Sequence, residues 1–430
     1  MKIAAGMVLA CLVAATAAFS ASPSETKVPA TAADKTDLAK LGWGGRVFAT
    51  NLYARLASTP GNLFFSPASI HTALGMTYAG ADGQTAEQMA KALHFGLPPE
   101  KLHPAFGALI AELNSPAKYK ETEFPKEGGP PRDVEKPAYQ LSVANALWGQ
   151  KGYDFKPAFL GLLHETYHAG LNPIDFKQPD AVRKAVNDWV AKETKEKITD
   201  LIPPGMPTTD TRLILANAIY FKSKWENEFD KIATKDEAFK LSAGKTVQTP
   251  LMHQRDHFGY AETDDVQILS MPYKAYQLNM VVLLPKKAEG LADLEKSMSG
   301  KLGDWLKAVK SEDVIVTFPK FTFTSEFSLS ETLKAMGMTD AFDMRKANFS
   351  KITTTEPLFI SEVYHKAFVA VDEESTEAAA ASAPTMQVGI SAGPPPKPKV
   401  FTADHPFVFL IRHNATNTIL FMGRVANPKG

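Results

Sequence analysis

Apolar positions along the chain follow two patterns, one helical and one extended. In the first, apolar residues recur every three to four positions and predict helices at residues 38–57, 67–80, 85–93, 102–113, 157–168, 181–195 and 329–336. In the second, continuous apolar runs predict buried strands at residues 213–221, 278–284, 314–323, 407–411 and 419–422. The patterns therefore predict a mixed protein, with helices first and then strands with interspersed helices.

Local signals predict two helix starts and one loop. Ser66 before Pro67 predicts a capped helix N-terminus with proline in the first turn. Thr85, followed three residues later by Gln88, predicts a capping box at the start of another helix. Residues 115–137 are rich in Pro, Gly, Lys and Glu, and this composition predicts a mobile loop.

The overall composition predicts one large domain and indicates no charged partner. The chain has 430 residues, 44% of them apolar, and no linker divides residues 37–428. The 47 basic residues balance the 47 acidic ones, and no basic cluster indicates nucleic acid or an acidic membrane surface. We therefore expect no nucleic-acid partner, and no pattern in the sequence predicts a cofactor. We also expect a monomer.

The N-terminal segment has the pattern of an export signal. Lys2 precedes an apolar run over residues 3–19, which ends in small residues and then a polar tail. We expect a signal peptide at residues 1–21, a flexible tail at 22–36, and a secreted or periplasmic mature chain without a membrane span. Cys11 is the only cysteine and leaves lipoprotein anchoring open as an alternative, although the apolar run continues past it.

Residues 365–382 change character halfway along. Residues 366–371 alternate as a buried strand does, whereas residues 377–381 are glutamate and alanine, which have high helix propensity. Alanine is small enough to enter both faces of a sheet without clashes, so this composition suits a loop that later becomes a strand. Such a strand would gain a ladder of backbone hydrogen bonds on each side, which makes insertion favourable.

Long motifs around this segment resemble the serpin family and occur in serpin order. They are NLFFSPASI at 62–70, GADGQTAEQM at 80–89, LSVANALWGQ at 141–150, LILANAIYFKSKWENEF at 213–229, FPKFTF at 318–323 and FTADHPFVFLIRHNATNTILFMGRV at 401–425. The resemblance covers the chain from about residue 37 onward. It implies an α+β serpin fold with three β-sheets, about eight or nine helices and an exposed reactive-centre loop at about residues 373–400. The short Ala-rich leader and the cysteine-free mature chain favour a secreted, bacterial-type member.

The resemblance implies a single-use inhibitor of serine proteases and not an enzyme. In serpins a protease cleaves the exposed loop, and insertion of that loop into the main sheet traps the acyl-enzyme before it is hydrolysed. The implied reactive bond joins Gly389 and Ile390, with Val388 and Ser391 as the limits of a shift in register. Small or β-branched residues there favour an elastase-like or subtilisin-like target, and a cysteine protease is an alternative.

The resemblance also implies roles for three groups of residues. A hinge begins loop insertion, a shutter of hydrogen-bonded polar groups lies where the strands must part, and a breach lies at the top of that opening. The hinge residues are Glu373, Glu374, Ser375, Thr376, Glu377, Ala378, Ala379, Ala380 and Ala381. The shutter residues are Ser66, Ser69, Asn217 and His365, and the breach residues are Trp225, Lys320 and Glu373. We expect Lys320 and Glu373 to form an ion pair that restrains early insertion.

Two residues favour an alternative, a non-inhibitory serpin with a binding or chaperone role. Ser375 stands where inhibitory serpins usually have glycine, and the loss of glycine's backbone freedom would slow insertion. Pro384 cannot donate a ladder hydrogen bond and would weaken the inserted strand. Thr376 and the alanines after it favour insertion, so inhibition is the main prediction.

One motif predicts a different class of protein, a zinc metalloprotease. His164-Glu165-Thr166-Tyr167-His168 is an H-E-x-x-H sequence, which on a helix places two imidazoles on one face for zinc, beside a glutamate. No third ligand follows at metzincin spacing, and Glu193 is the only carboxylate at a thermolysin-like spacing. The segment also resembles the serpin helix that lies across the main sheet, where these histidines would be exposed.

Overall fold

The computed structural model describes residues 34–125, 129–241, 244–355, 357–376 and 397–430. Within these ranges the chain has eight α-helices and three β-sheets, as expected for an α+β fold. The helices are α1 Lys35–Leu56, α2 Pro67–Tyr78, α3 Gly83–Ala92, α4 Pro99–Leu113, α5 Pro157–Tyr167, α6 Pro179–Glu193, α7 Leu291–Ala308 and α8 Ser330–Ala335.

The largest sheet has nine strands and contains most of the long apolar runs. Its order is β1-β17-β16-β10-β9-β8-β11-β15, and β7 pairs with β8 off this path. The strands are β1 Leu63–Phe65, β7 Lys235–Lys240, β8 Thr246–Glu262, β9 Val266–Pro272, β10 Leu278–Pro285, β11 Lys310–Pro319, β15 Lys399–Thr402, β16 Phe407–His413 and β17 Ile419–Val425.

The second sheet, called the main sheet below, has the order β12-β13-β6-β4-β5. Its strands are β4 Tyr139–Gln150, β5 Leu171–Ile174, β6 Leu213–Lys224, β12 Phe321–Ser328 and β13 Glu362–Val371, and a short strand β14, Ser375–Thr376, pairs with β6. The third sheet is a hairpin of β2 Lys118–Glu123 and β3 Arg132–Pro137.

Helices cover both faces of the main sheet. On one face, α2 begins as predicted, because the Ser66 side chain accepts a hydrogen bond from the backbone N–H of Ser69 and proline occupies the first turn. On the other face, the apolar side of α6 packs on β4 and β6, and all three of its core valines, at 182, 186 and 190, are buried against the alanines of those strands.

The helix on this second face of the main sheet is α6, so the placement across the sheet predicted for residues 157–168 is wrong. The buried side of α5, formed by Phe159, Leu163 and Tyr167, packs instead among the helices, where Phe106 of α4 contacts Tyr167. Both helices are short and amphipathic, and only the tertiary contacts distinguish them.

Three further local predictions are wrong. Thr85 lies inside α3 and does not cap it, since its hydroxyl accepts the backbone N–H of Asn348 at 3.0 Å. The apolar run 314–323 is two strands in two different sheets, and the chain crosses between them at Lys320. Residues 118–123 and 132–137, within the predicted loop, form the β2–β3 hairpin.

Candidate functional site

The boundary between β6 and β13 changes along its length. In the lower part, residues 214–220 of β6 pair in parallel with residues 362–368 of β13. In the upper part, the last three residues of β13 pair with β12 only. There β14 pairs antiparallel with the end of β6, Ser375 opposite Lys224 and Thr376 opposite Ser223. The chain after β13 therefore turns back and begins a new strand where the two central strands separate.

The four residues predicted for the shutter lie together in the lower part, between the main sheet and the start of α2. Asn217 and His365 are opposite each other on β6 and β13, and the Nδ1–H of His365 donates to Oδ1 of Asn217. Nε2 of His365 accepts the backbone N–H of Ser66 at 3.0 Å. Nδ2 of Asn217 donates to the hydroxyl of Ser69 at 2.6 Å, and the backbone N–H of Ser69 donates to the hydroxyl of Ser66, so the four residues form one network, the central cluster.

Full burial keeps the imidazole of His365 neutral. Burial is the main cause that lowers its pKa from 6.5 to about 3, and the bond to Asn217 opposes the shift only in part. The hydrogen bonds require the same state, because Nδ1 donates and Nε2 accepts. The central cluster is thus a set of neutral, satisfied polar groups that joins β6, β13 and the start of α2.

One member of the central cluster, Asn145 of β4, was not predicted from the sequence. Its Oδ1 accepts hydrogen bonds from Nδ2 of Asn217 and from the hydroxyl of Ser69, the latter at 3.3 Å. Asn145 and Asn217 are direct partners in the β4–β6 ladder. Each lies in an Ala-Asn-Ala triplet, and this repeated triplet, with a polar residue inside an apolar strand, is the signal that would have found it.

The residues predicted for the breach lie together in the upper part. Trp225, directly after β6, is buried and stacks on Tyr273 with ring centroids 4.6 Å apart. Its indole N–H donates to the carbonyl of Asp372 at 2.9 Å, and its backbone N–H donates to the carbonyl of Glu374 at 3.2 Å. Trp225 therefore holds the turn between β13 and β14 against the end of β6.

Ion pairs hold the two glutamates of this turn. Lys320 Nζ is 2.6 Å from Oε2 of Glu373, and the hydroxyl of Thr234 donates to Oε1 at 2.9 Å. Burial alone would raise the pKa of Glu373, but these hydrogen bonds and the charge of Lys320 outweigh it and the pKa lies below its ordinary value. Glu374 pairs with Lys231. Thr234 and Lys231 come from the connection between β6 and β7, which no sequence motif marked.

The H-E-x-x-H sequence does not form a zinc site. α5 ends at Tyr167, and His168 follows it in a left-handed conformation with φ 50°, so the two histidines do not share a helix face. His164, Glu165 and His168 are all exposed. In the part of the chain that the structure describes, no group of three or more His, Cys, Asp or Glu residues is arranged to hold a metal ion.

Residues 45–428 match the family model for Serpin (serine protease inhibitor). The chain belongs to the serpin family. The leukocyte elastase inhibitor of Xenopus laevis is 40% identical to this serpin over 379 residues, which make up 86% of this chain and 94% of that protein. The family is one of protease inhibitors, and this serpin is not an enzyme.

Solved serpin structures share its fold over nearly their whole length. Serpin48 of the insect Tenebrio molitor is similar with a TM-score of 0.77 and 29% identity, over 90% of this chain and 98% of that one. Human thyroxine-binding globulin in complex with thyroxine has a TM-score of 0.78 and 30% identity, over 92% of this serpin and 100% of that chain.

Part of the predicted site lies outside the described residues. These are the hinge residues 377–381, Pro384, and the reactive-bond residues Val388, Gly389, Ile390 and Ser391, together with the predicted signal peptide and Cys11. Within the described ranges of this serpin, no helix is both long and apolar enough to cross a bilayer.

Proposed function

We propose that this serpin is a single-use inhibitor of serine proteases that traps its target by inserting the cleaved loop between β6 and β13. The observation that carries this proposal is the start of β14 at the upper end of that boundary, where Ser375 and Thr376 pair with β6. Continued antiparallel pairing from this point would bring the Ala-rich residues 377–381 between the two strands. Each added residue would gain backbone hydrogen bonds on both sides.

Under this proposal the central cluster acts as the shutter and the Trp225, Lys320 and Glu373 contacts act as the breach. Separation of β6 from β13 requires the bond between His365 and Asn217 to break. Widening of the gap between β6 and β13 for the rest of β14 would strain the contacts that Lys320 and Trp225 make with the turn at Glu373. Both sets of bonds therefore restrain insertion until cleavage frees the loop.

We infer an elastase-like target and a reactive bond between Gly389 and Ile390. The similarity to a protein named leukocyte elastase inhibitor supports this target class, as do the small and β-branched residues around the bond. A register shift would move the bond within Val388 to Ser391, and subtilisin-like serine proteases and cysteine proteases are the alternative targets.

The test is to incubate the mature protein with elastase-like and subtilisin-like proteases and to analyse the products by SDS gel and intact mass. We expect a covalent one-to-one adduct and a released C-terminal peptide that begins at Ile390. Clean cleavage of the loop with full retention of protease activity would contradict the proposal for those enzymes.

A hinge variant separates trapping from simple cleavage. Thr376→Arg adds a charge to a residue that must enter the sheet, so we expect cleavage without adduct and a stoichiometry of inhibition raised at least about tenfold. Thr199→Arg, at an exposed position outside the hinge, is the matched control and should form adduct as the wild type does. Equal adduct formation by both variants would exclude insertion as the trapping step.

A second candidate function is ligand binding without inhibition. Ser375 has less backbone freedom than the glycine usual at this position, and thyroxine-binding globulin, a carrier by its name, shares the fold. In the adduct assay this candidate predicts only cleavage. If Ser375 is what prevents trapping, Ser375→Gly should form the covalent adduct. If the protein has no inhibitory role, Ser375→Gly should be cleaved without adduct, as the wild type is.

We further propose that the protein is exported as a bacterial-type, secreted or periplasmic serpin, with residues 1–21 removed. Support comes from Lys2, the apolar run 3–19 and the small residues that follow. N-terminal sequencing of the mature protein should give a start near residue 22. A lipid-modified start at Cys11, abolished by Cys11→Ser, would favour the anchored alternative.

A further inference from the structure

The β2–β3 hairpin docks one face on the body of the protein. Along β2, exposed and half-buried residues alternate, and Tyr119, Glu121 and Glu123 form the half-buried face. Val134 and Lys136 of β3 lie on the same face. The opposite face is exposed and carries its own ion pair between Lys118 and Glu135 at 3.5 Å. A charged inner face on a docked hairpin needs partners in the body of the protein.

The main partner is Lys224, the last residue of β6. Oε1 of Glu121 is 2.7 Å from Nζ of Lys224, and Oε2 of Glu121 lies 3.1 Å from both Nζ of Lys136 and Oη of Tyr119. Lys224 Nζ is also 3.7 Å from Oε1 of Glu228. The side chains of Glu121, Lys224 and Glu228 are only 18%, 13% and 11% exposed, so this network is far less hydrated than the outer pair.

The hairpin is also attached to the nine-stranded sheet. The backbone N–H of Ala117, just before β2, donates to Oε1 of Gln277 at 2.6 Å. Nζ of Lys274 lies 6.0 Å from the ring centroid of Tyr119. Lys274 and Gln277 belong to the connection between β9 and β10. The hairpin thus joins the end of β6 to an element outside the main sheet.

Lys224 is the residue of β6 that pairs with Ser375, the first residue of β14. Its backbone pairs with Ser375 in β14, while its side chain is held by Glu121. A new strand between β6 and β13 requires them to separate by one further strand spacing, about 4.8 Å. Such a movement of β6 relative to the β9–β10 connection would strain the series of contacts that runs from Lys224 through Glu121 and the hairpin to Gln277.

We propose that the β2–β3 hairpin is a latch that slows opening of the main sheet, through the ion pair of Glu121 with Lys224. This role rests on the proposed function, because it sets the rate of the same insertion step. Loss of the latch accelerates insertion of a strand beside β6, whether or not a protease is present.

The test uses a synthetic peptide and the intact mature protein. The peptide has the sequence of residues 375–387, STEAAAASAPTMQ, and its incorporation is followed by native gel and by the rise in melting temperature. We expect Glu121→Gln to incorporate the peptide about three- to tenfold faster than the wild type. Glu135→Gln, which removes the exposed ion pair of the same hairpin, is the matched control and should not change the rate.

A second variant distinguishes the latch from general loosening of the hairpin. Lys224→Gln should also accelerate incorporation of the peptide. The double variant of Glu121→Gln and Lys224→Gln should be no faster than the faster single variant, because both substitutions remove the same Glu121–Lys224 contact. Equal rates for the wild type and Glu121→Gln, or equal acceleration by Glu135→Gln, would overturn the latch and leave the proposed function standing. The latch would also be overturned if no variant incorporated the peptide. Protease inhibition is tested separately, by the adduct assay.

Discussion

The lower and upper parts of the β6–β13 boundary are held together by different chemistry. In the lower part, His365 and Asn217 are fully buried, neutral and hydrogen-bonded across a continuous ladder. In the upper part, the ladder is absent and ion pairs such as that of Lys320, 35% exposed, with Glu373 hold the turn. Partly exposed ion pairs are weak, whereas a buried polar network is costly to break. The difference indicates that the sheet opens from its upper end.

The largest expected loss of stability comes from a substitution in the lower part of the β6–β13 boundary. Asn217→Ala removes the central member of the network: Nδ1 of the buried His365 loses its acceptor, and Ser69 and Asn145 lose the N–H groups that Asn217 donates to them. We expect the free energy of unfolding to fall by about 2–3 kcal/mol, measured as a shift in the urea midpoint of the uncleaved protein. Asn227→Ala, at an exposed asparagine just after β6, is the control. Equal shifts for both variants would mean that the central cluster does not hold the strands.

An intermediate loss of stability is expected when the pH is lowered, and it also originates in the lower part of the boundary, at His365. The pKa of His365 is lowered from 6.5 to about 3, so the unfolded chain takes up a proton that the folded chain does not. Its contribution to stability is complete above pH 6.5 and is lost as the pH falls toward 3, by up to about 1.4 kcal/mol per unit. His71 and His103, whose pKa values burial lowers to about 4, act in the same direction.

The measurement is the urea midpoint of the wild type and of two variants between pH 7 and 5. His365→Gln should flatten the pH dependence, because the residue that takes up the proton on unfolding is gone. His257→Gln, at an exposed histidine of β8, should leave the dependence as in the wild type. An unchanged slope in His365→Gln would contradict the neutral, buried state assigned to this imidazole.

The smallest loss of stability is expected from a substitution in the upper part of the boundary. Lys320→Gln breaks the pair with Glu373, and we expect a loss of about 1 kcal/mol or less. Because the pair is partly exposed, 1 M salt should reduce the difference between variant and wild type, whereas it should not reduce the effect of Asn217→Ala. An Lys320→Gln effect that is larger than that of Asn217→Ala, or independent of salt, would reverse the comparison between the two parts.

Features set by local chemistry or by long motifs were predictable from the sequence. The cap at Ser66 follows from a hydroxyl next to a proline. The motif at 213–229, which contains Asn217 and Trp225, and the motif at 318–323, which contains Lys320, are far apart in the chain, and the resemblance to serpins predicted that the fold brings such residues together. The sequence alone did not show that Ser375 and Thr376 pair with β6.

Features that depend on long-range polar contacts were not predictable. The inner face of the β2–β3 hairpin is charged, and Tyr119 and Glu121 therefore give no alternation of apolar residues. Thr85 resembles a helix cap but binds the backbone at Asn348. The crossing at Lys320 lies within an apolar run because the end of β11 and the first residue of β12, Phe321, are both apolar. In each case the decisive partner is distant in sequence.

The central claim, that the main sheet accepts the cleaved loop as a new strand, is tested most directly by the melting temperature before and after a single cut in the loop. Insertion of about twelve residues, each with a net hydrogen-bond gain of about 0.5–1.5 kcal/mol, would stabilise the protein by on the order of 6–18 kcal/mol. We predict that the cut protein melts about 20 °C or more above the intact protein. An unchanged or lower melting temperature would contradict the claim.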